Sequence, residues 1–302
     1  MWQSSRVGVW GMNRPTADLL GTLIGIPIIL SGLGCAAVEV LHPPLPGVEV
    51  LEKRVGETTM FSVRNPQLAE MTVGLDFTLD NLTSSVRLPL ELVIAPQSST
   101  PTLVALHPTD PAKTWQYTYR EGFSWGTPNA QHADNQLYLL PFASGRSFRV
   151  VQGQDGAFSH KGDERFAIDF GLPEGEPVFA ARGGLVVLVR DGFDVGAPDS
   201  ALKLKANEIF VRHSDGTLGE YVHLQKDGMK VSVGDTITAG QMLALSGNTG
   251  YTQGPHLHFM VFRAKDSKSR ESFPIYFATK EGSGMTLRQG RRFTAVGIGD
   301  GL

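Results

Sequence analysis

Apolar and polar residues alternate with a period of two along much of the chain, the periodicity of half-buried β-strands. Met71, Val73, Leu75, Phe77 and Leu79 alternate with Thr72, Gly74, Asp76, Thr78 and Asp80, and Leu88, Leu90, Leu92 and Ile94 repeat the pattern. Shorter runs at 103–106, 115–119 and 137–140 lie between turns containing Pro, Asn and Gly, so residues 49–145 predict a small β-sandwich. Further strands are predicted over 177–181, 185–189, 209–213, 220–224, 242–246 and 256–262, joined by turns such as Gly183-Gly184, Asp215-Gly216 and Asn248-Thr249-Gly250. No amphipathic helix of useful length interrupts them, and the predicted class is all-β.

The N-terminus departs from this texture. Residues 19–38 form an uncharged, largely apolar run of about 20 residues, long enough to span a bilayer, with Arg6 and Arg14 before it. A cleaved export signal and a retained anchor are both compatible with it, and both put the rest of the chain outside the cytoplasm. Cys35 after Gly34 stands where a lipoprotein is cleaved, although Gly32 occupies a position where that pattern expects a branched aliphatic residue. Met12, taken as the start, places Arg14 in a short basic segment directly before the apolar run. The predicted organisation is a signal or anchor (1–38), a Pro-rich linker (39–48), the sandwich (49–145), a second β domain (146–278) and an irregular tail (279–302) whose Arg288, Arg291 and Arg292 read as a solvated surface.

Composition narrows the chemistry. A chain of 302 residues with 41% hydrophobic residues, 19% charged residues and net charge −3 accommodates two cores and has no electrostatic grip on nucleic acid. One cysteine excludes an intramolecular disulfide and a thiolate metal cluster, so a metal would have to use His, Asp or Glu. Five of the eight histidines, His160, His213, His223, His256 and His258, lie in the second domain. On a strand His256 and His258 share a face, while Leu257 and Phe259 point the other way. A lone His-x-His is weak, and His107 and His132, isolated among loop residues, read as surface or capped histidines.

The wider pattern is more specific. Phe158-Ser159-His160-Lys161-Gly162, Ala167-Ile168-Asp169-Phe170-Gly171, Pro173-Glu174-Gly175-Glu176-Pro177-Val178, Asn207, Tyr221-Val222-His223-Leu224, the hairpin Val231 to Asp235, Ser246-Gly247-Asn248-Thr249-Gly250 and His256-Leu257-His258 occur in this order over about 120 residues. They resemble the lysostaphin/LytM-type zinc peptidases. The resemblance implies a β-sheet groove domain, one Zn²⁺ bound by His160, Asp169 and His258, and His223 and His256 beside it as catalytic groups. The sequence does not divide the roles of those two histidines. Three ligands leave an open position for water, as hydrolytic zinc requires. The chain departs from the family where that family places Asp four positions after the first His. Here Glu164 stands there and Asp169 lies nine positions on, so 161–166 read as an insertion with Asp163 and Glu164 on an exposed turn.

The function expected is extracytoplasmic metalloendopeptidase action on peptidoglycan stem or cross-bridge peptides, with membrane attachment through the N-terminus as a further expectation. Two other readings exist. Domains of this fold also act as non-catalytic cell-wall modules that activate amidases, and these typically lack metal ligands. The segment 231–241 also resembles a lipoyl- or biotinyl-carrier hairpin, but no lysine occupies its turn. Tyr221 would share a face with His223 if the strand ran through both, and His213 reads as structural.

Overall fold

The computed structural model describes the backbone of Ser4–Trp10 and all of residues 47–297. The expected signal or anchor, Cys35 and most of the linker therefore lie outside the described residues, apart from the Ser4–Trp10 strand. Among the described residues no helix is long and apolar enough to cross a membrane. Among the described residues two single-turn 3₁₀ helices break an otherwise β backbone, at Gly162–Glu164 and Ser200–Leu202.

The first half is a sandwich of two antiparallel sheets. One runs Ser4–Trp10, Trp115–Trp125, Met71–Asp80, Leu90–Ile94, and the other Glu49–Val55, Thr58–Asn65, Val104–Pro108, Leu82–Ser84, with Ser98–Ser99 against Asn65. Met71, Val73 and Leu75, the inward set of the period-two pattern, are fully buried with Phe61 and Tyr119.

The second half is built on one nine-stranded antiparallel sheet. Its strands in chain order are β1 (Ser147–Gln152), β2 (Ile168–Phe170), β3 (Gly184–Arg190), β4 (Glu208–Arg212), β5 (Leu218–Val222), β6 (Thr236–Ile237), β7 (Leu257–Ala264), β8 (Arg270–Ser272) and β9 (Arg292–Thr294). In space they lie in the order β6-β3-β4-β5-β7-β2-β1-β9, with β8 also on β7. Tyr221, Ile209, Ile168, Phe170, Leu257 and Phe259 project from one face into a core that also holds Tyr138, Leu140 and Phe142.

The opposite face of the same sheet divides into two zones. Leu188, Phe210, Leu218, Met260 and Phe262 pack into the sandwich cluster with Trp125 and Val73. The Trp125 and Phe210 rings meet edge to face at 5.7 Å. Beyond them on this face, register aligns Asp169 with His258, His258 with Val222, Val222 with Glu208 and Glu208 with Arg190. The polar row therefore begins where the apolar contact ends. Between the zones Arg270 pairs with Glu220 at 2.9 Å and Glu164 at 3.2 Å, and within the row Arg190 pairs with Glu208 at 2.9 Å.

The tail departs from the expectation of an irregular segment. Gly282–Met285 forms a strand, β9 pairs with β1, and Leu287, Phe293 and Ala295 are buried in the sheet core. The partners of β9 lie about 145 residues upstream, and period-two patterning over so short a strand gives no signal of such pairing.

Because the sandwich and the sheet share one apolar cluster, they should unfold together. Phe210→Ala should cost about 3–5 kcal/mol and keep a single transition in urea when followed both by tryptophan fluorescence and by far-ultraviolet circular dichroism. Two separated transitions would contradict the shared core.

Candidate metal centre

Each side chain of the centre is delivered by a different backbone feature. Asp169 is in the middle of β2 between Ile168 and Phe170, which both point into the core, so alternation turns Asp169 to the other face. His258 faces it across the antiparallel β2–β7 pair, with Nδ1 2.9 Å from Asp169 Oδ1. His160 arrives from the loop before the Gly162–Glu164 turn and puts Nε2 3.1 Å from the same Oδ1.

His223 leaves strand alternation altogether. β5 ends at Val222, and His223 has φ +66°, a left-handed conformation uncommon for a residue with a Cβ. That turn carries its ring to the site face, 4.5 Å between centroids from His256 and 6.2 Å from His258. Tyr221 consequently does not share its face. It is fully buried against Phe259, at 4.9 Å, and its hydroxyl accepts a hydrogen bond from the Ala181 amide.

Backbone carbonyls orient three of the four imidazoles. Nδ1–H of His160 donates to Gly153 O at 2.8 Å, that of His223 to Thr249 O at 2.6 Å and that of His256 to Gly254 O at 2.8 Å. In each case Nε2 is left for the site. Nε2 of His256 lies 3.8 Å from Asp169 Oδ2. Thr252 Oγ1 sits 3.2 Å from His256 Nδ1 and accepts from the Gly254 amide, which fixes that ring's loop.

The electrostatics follow from burial and from these contacts. Burial alone would raise the Asp169 carboxyl, but hydrogen bonds from His160 and His258 hold it well below the usual carboxylate range. Burial would lower His258, but its bond to Asp169 and the carboxylate charge raise it to about 9. Burial, and then the nearby His256 and His258 rings, push His223 down to about 3, so its Nε2 is unprotonated at neutral pH.

His160, Asp169 and His258 are all buried, and their donor atoms lie within 4.8 Å of one another. Zinc bonds of about 2.0–2.1 Å at tetrahedral angles set donor atoms roughly 3.3 Å apart, close to the 2.9 and 3.1 Å contacts at Oδ1. One carboxylate and two imidazole nitrogens suit a divalent cation, and among the described residues no Lys or Arg pairs with Asp169. The group is able to hold a metal ion.

The remaining candidates lie apart. Glu164 pairs with Arg270, and Asp163 Oδ2 accepts from the Arg270 amide at 3.2 Å, so the insertion is fastened to β8 and not to the centre. His107 meets Thr58 Oγ1 at 3.1 Å, and His132 stacks on Phe273 at 4.8 Å. His213 is buried, with Nδ1–H donating to Gly183 O at 2.9 Å and Nε2 without a hydrogen-bond partner.

Of three supporting residues, Asn207 and Thr249 belong to the motif series above, and only Gln152 carries no mark in it. Gln152 donates from Nε2 to Asp169 Oδ2 at 3.0 Å. Asn207 donates to the carbonyls of Phe193 and Leu224, and Thr249 Oγ1 accepts from the Asn207 amide, which together fix the loop that holds His223. The usable signal for Gln152 is a polar residue at an inward position of the run Phe148, Val150, Gln152.

Comparison with known proteins adds to this geometry. Residues 163–270 match Peptidase family M23, a stretch that includes Asp169, His223, His256 and His258 and begins three residues after His160. The chain is 33% identical to lysostaphin of Staphylococcus simulans over 124 residues, 41% of this chain and 23% of that protein. It is 35% identical to peptidoglycan DD-endopeptidase ShyA of Vibrio cholerae over 91 residues, 30% of this chain and 18% of that protein. Both matches therefore span less than a quarter of the relative. The solved catalytic domain of lysostaphin from Staphylococcus simulans aligns over 42% of this chain and 87% of that one, with 24% identity and a TM-score of 0.30.

His213 yields a prediction separate from the centre. Burial pushes it down to about 4, so the folded state resists a proton that the unfolded chain accepts near 6.5. Its contribution to stability is intact above pH 6.5 and is lost as pH falls from 6.5 toward 4, on the order of 3 kcal/mol in all. His213→Asn, which keeps a donor for Gly183, should flatten that part of the stability–pH curve in chemical denaturation. An unchanged slope would show that His213 is not the proton acceptor.

Proposed function

We propose, from the match of residues 163–270 to Peptidase family M23, that the chain is an extracytoplasmic zinc metalloendopeptidase cleaving stem or cross-bridge peptides of peptidoglycan. The observation that carries the proposal is the meeting of His160, Asp169 and His258 donor atoms beside two further imidazoles whose Nδ1–H groups are already engaged. Bound zinc supplies a Lewis acid and lowers the pKa of a coordinated water towards about 7.

The chain's own residues supply the rest. Asp169 would bring a negative oxygen to such an ion, and His160 and His258 would bring imidazole nitrogens. Unprotonated Nε2 of His223 accepts a hydrogen bond at neutral pH, and His256 presents Nε2 on the same side. Between them they take the water's proton, stabilise the oxyanion and return a proton to the leaving amine. The row His258, Val222, Glu208 offers a floor crossing three strands, suited to an extended peptide. The relatives named lysostaphin and peptidoglycan DD-endopeptidase support the substrate class, and the apolar run at 19–38 supports the location. A complete donor set disfavours the non-catalytic amidase-activating reading.

Purified protein incubated with peptidoglycan should release new amine ends, and a chelator should stop the release. Asp169→Ala or His258→Ala should lose the metal. His223→Ala should retain it with kcat lowered by about 10²–10⁴, read by metal analysis alongside amine release. Undiminished cleavage by Asp169→Ala would overturn metal-dependent hydrolysis, and a metal-loaded wild type without cleavage would favour the amidase-activating module.

A further inference from the structure

Eight residues, 161–168, connect His160 to Asp169, and the middle of this stretch is fastened elsewhere. Asp163 and Glu164 hold Arg270, and the Phe166 amide donates to Ser272 Oγ at 3.2 Å. The His160 end is held from β1 by the side chain of Gln152, with Phe158 also stacked on Tyr251 at 5.2 Å. Alternation along Phe148 and Val150, both in the core, would send Gln152 into the core as well. A β-bulge prevents this. Val150 pairs with Phe170, but Gln152 pairs with Asp169, so Val151 is the extra residue and Gln152 emerges on the site face.

There every hydrogen-bonding valence of the amide is used. Nε2 donates to Asp169 Oδ2 at 3.0 Å and to Ser159 Oγ at 2.8 Å. Oε1 accepts from the amides of Phe158 at 3.0 Å and Ser159 at 3.4 Å. The next residue, Gly153, supplies the carbonyl that orients His160. A Cβ at Gly156 would fall 2.3 Å from Gln152 Cγ, so the loop closes directly over this side chain.

We propose that Gln152 is a positioning residue that couples the carboxylate to the His160 loop: it occupies Asp169 Oδ2, reserves Oδ1 for the metal, and sets the His160–Asp169 separation despite the long connection. The inference rests on the metal-centre reading above. Hydrogen bonds of this kind behind a metal ligand typically change affinity 10–100-fold when removed.

The test uses cobalt(II) alone with the full chain, because its visible absorption bands report ligand geometry independently of turnover. Gln152→Met keeps the volume and removes all four hydrogen bonds, and Gln152→Glu keeps the shape and removes the donors. Gly156→Ala reaches the same side chain from the loop. All three should bind cobalt(II) 10–100-fold more weakly in chelator competition, with altered bands. Thermal melting of the metal-free forms identifies any variant that fails to fold, and the comparison is read from those that melt as the wild type does. A folded Gln152→Met protein with wild-type bands and affinity overturns the clamp while leaving the metal centre standing. A wild-type protein that takes up no cobalt(II) overturns the metal-centre reading itself.

Discussion

A carboxylate buried in an apolar sheet is tolerated only where positive or hydrogen-donating groups face it. Asp169 stands between Ile168 and Phe170, both without exposed surface, and it is itself only 5% exposed. Its partners are the imidazoles of His160, His258 and His256 and the amide of Gln152. The strand register of β2 against β7 is therefore the constraint from which the centre follows. A slip of one residue would turn Asp169 into the core and His258 away from it.

The loops around this register act through backbone carbonyls. Gly153, Thr249 and Gly254 each accept an Nδ1–H from a different histidine, so neutral carbonyls hold the outer nitrogens of three imidazoles and Nε2 points inward. A neutral histidine held this way remains both a possible ligand and a possible base. The sandwich closes the other end of the same sheet face through Leu188, Phe210, Leu218, Met260 and Phe262. The Arg270 pairs to Glu220 and Glu164 mark the border between that dry contact and the polar row.

Much of this was legible in the residues. Period-two alternation located the strands, and His256-Leu257-His258 followed by a core run placed two imidazoles toward one face. The sequence after Asp169 favoured it over Glu164, and the structure brings Asp169 to His160 and His258 while Glu164 meets Arg270. What was not legible depends on departures from alternation. A left-handed backbone at His223 separates it from Tyr221, and no glycine announces it. The bulge that turns Gln152 to the site face shows in the sequence only as a polar residue at a position that alternation sends inward. The tail's burial depends on pairing with residues about 145 positions away, which no local window contains.

The most direct test of the account is X-ray absorption at the zinc edge on the zinc-loaded chain. It should show a four-coordinate ion with two nitrogen scatterers and two oxygen scatterers, one from Asp169 and one from water, at about 2.0–2.1 Å. A shell of three or four imidazole nitrogens, or an outer-shell signal without Asp169 dependence, would contradict a centre built on His160, Asp169 and His258.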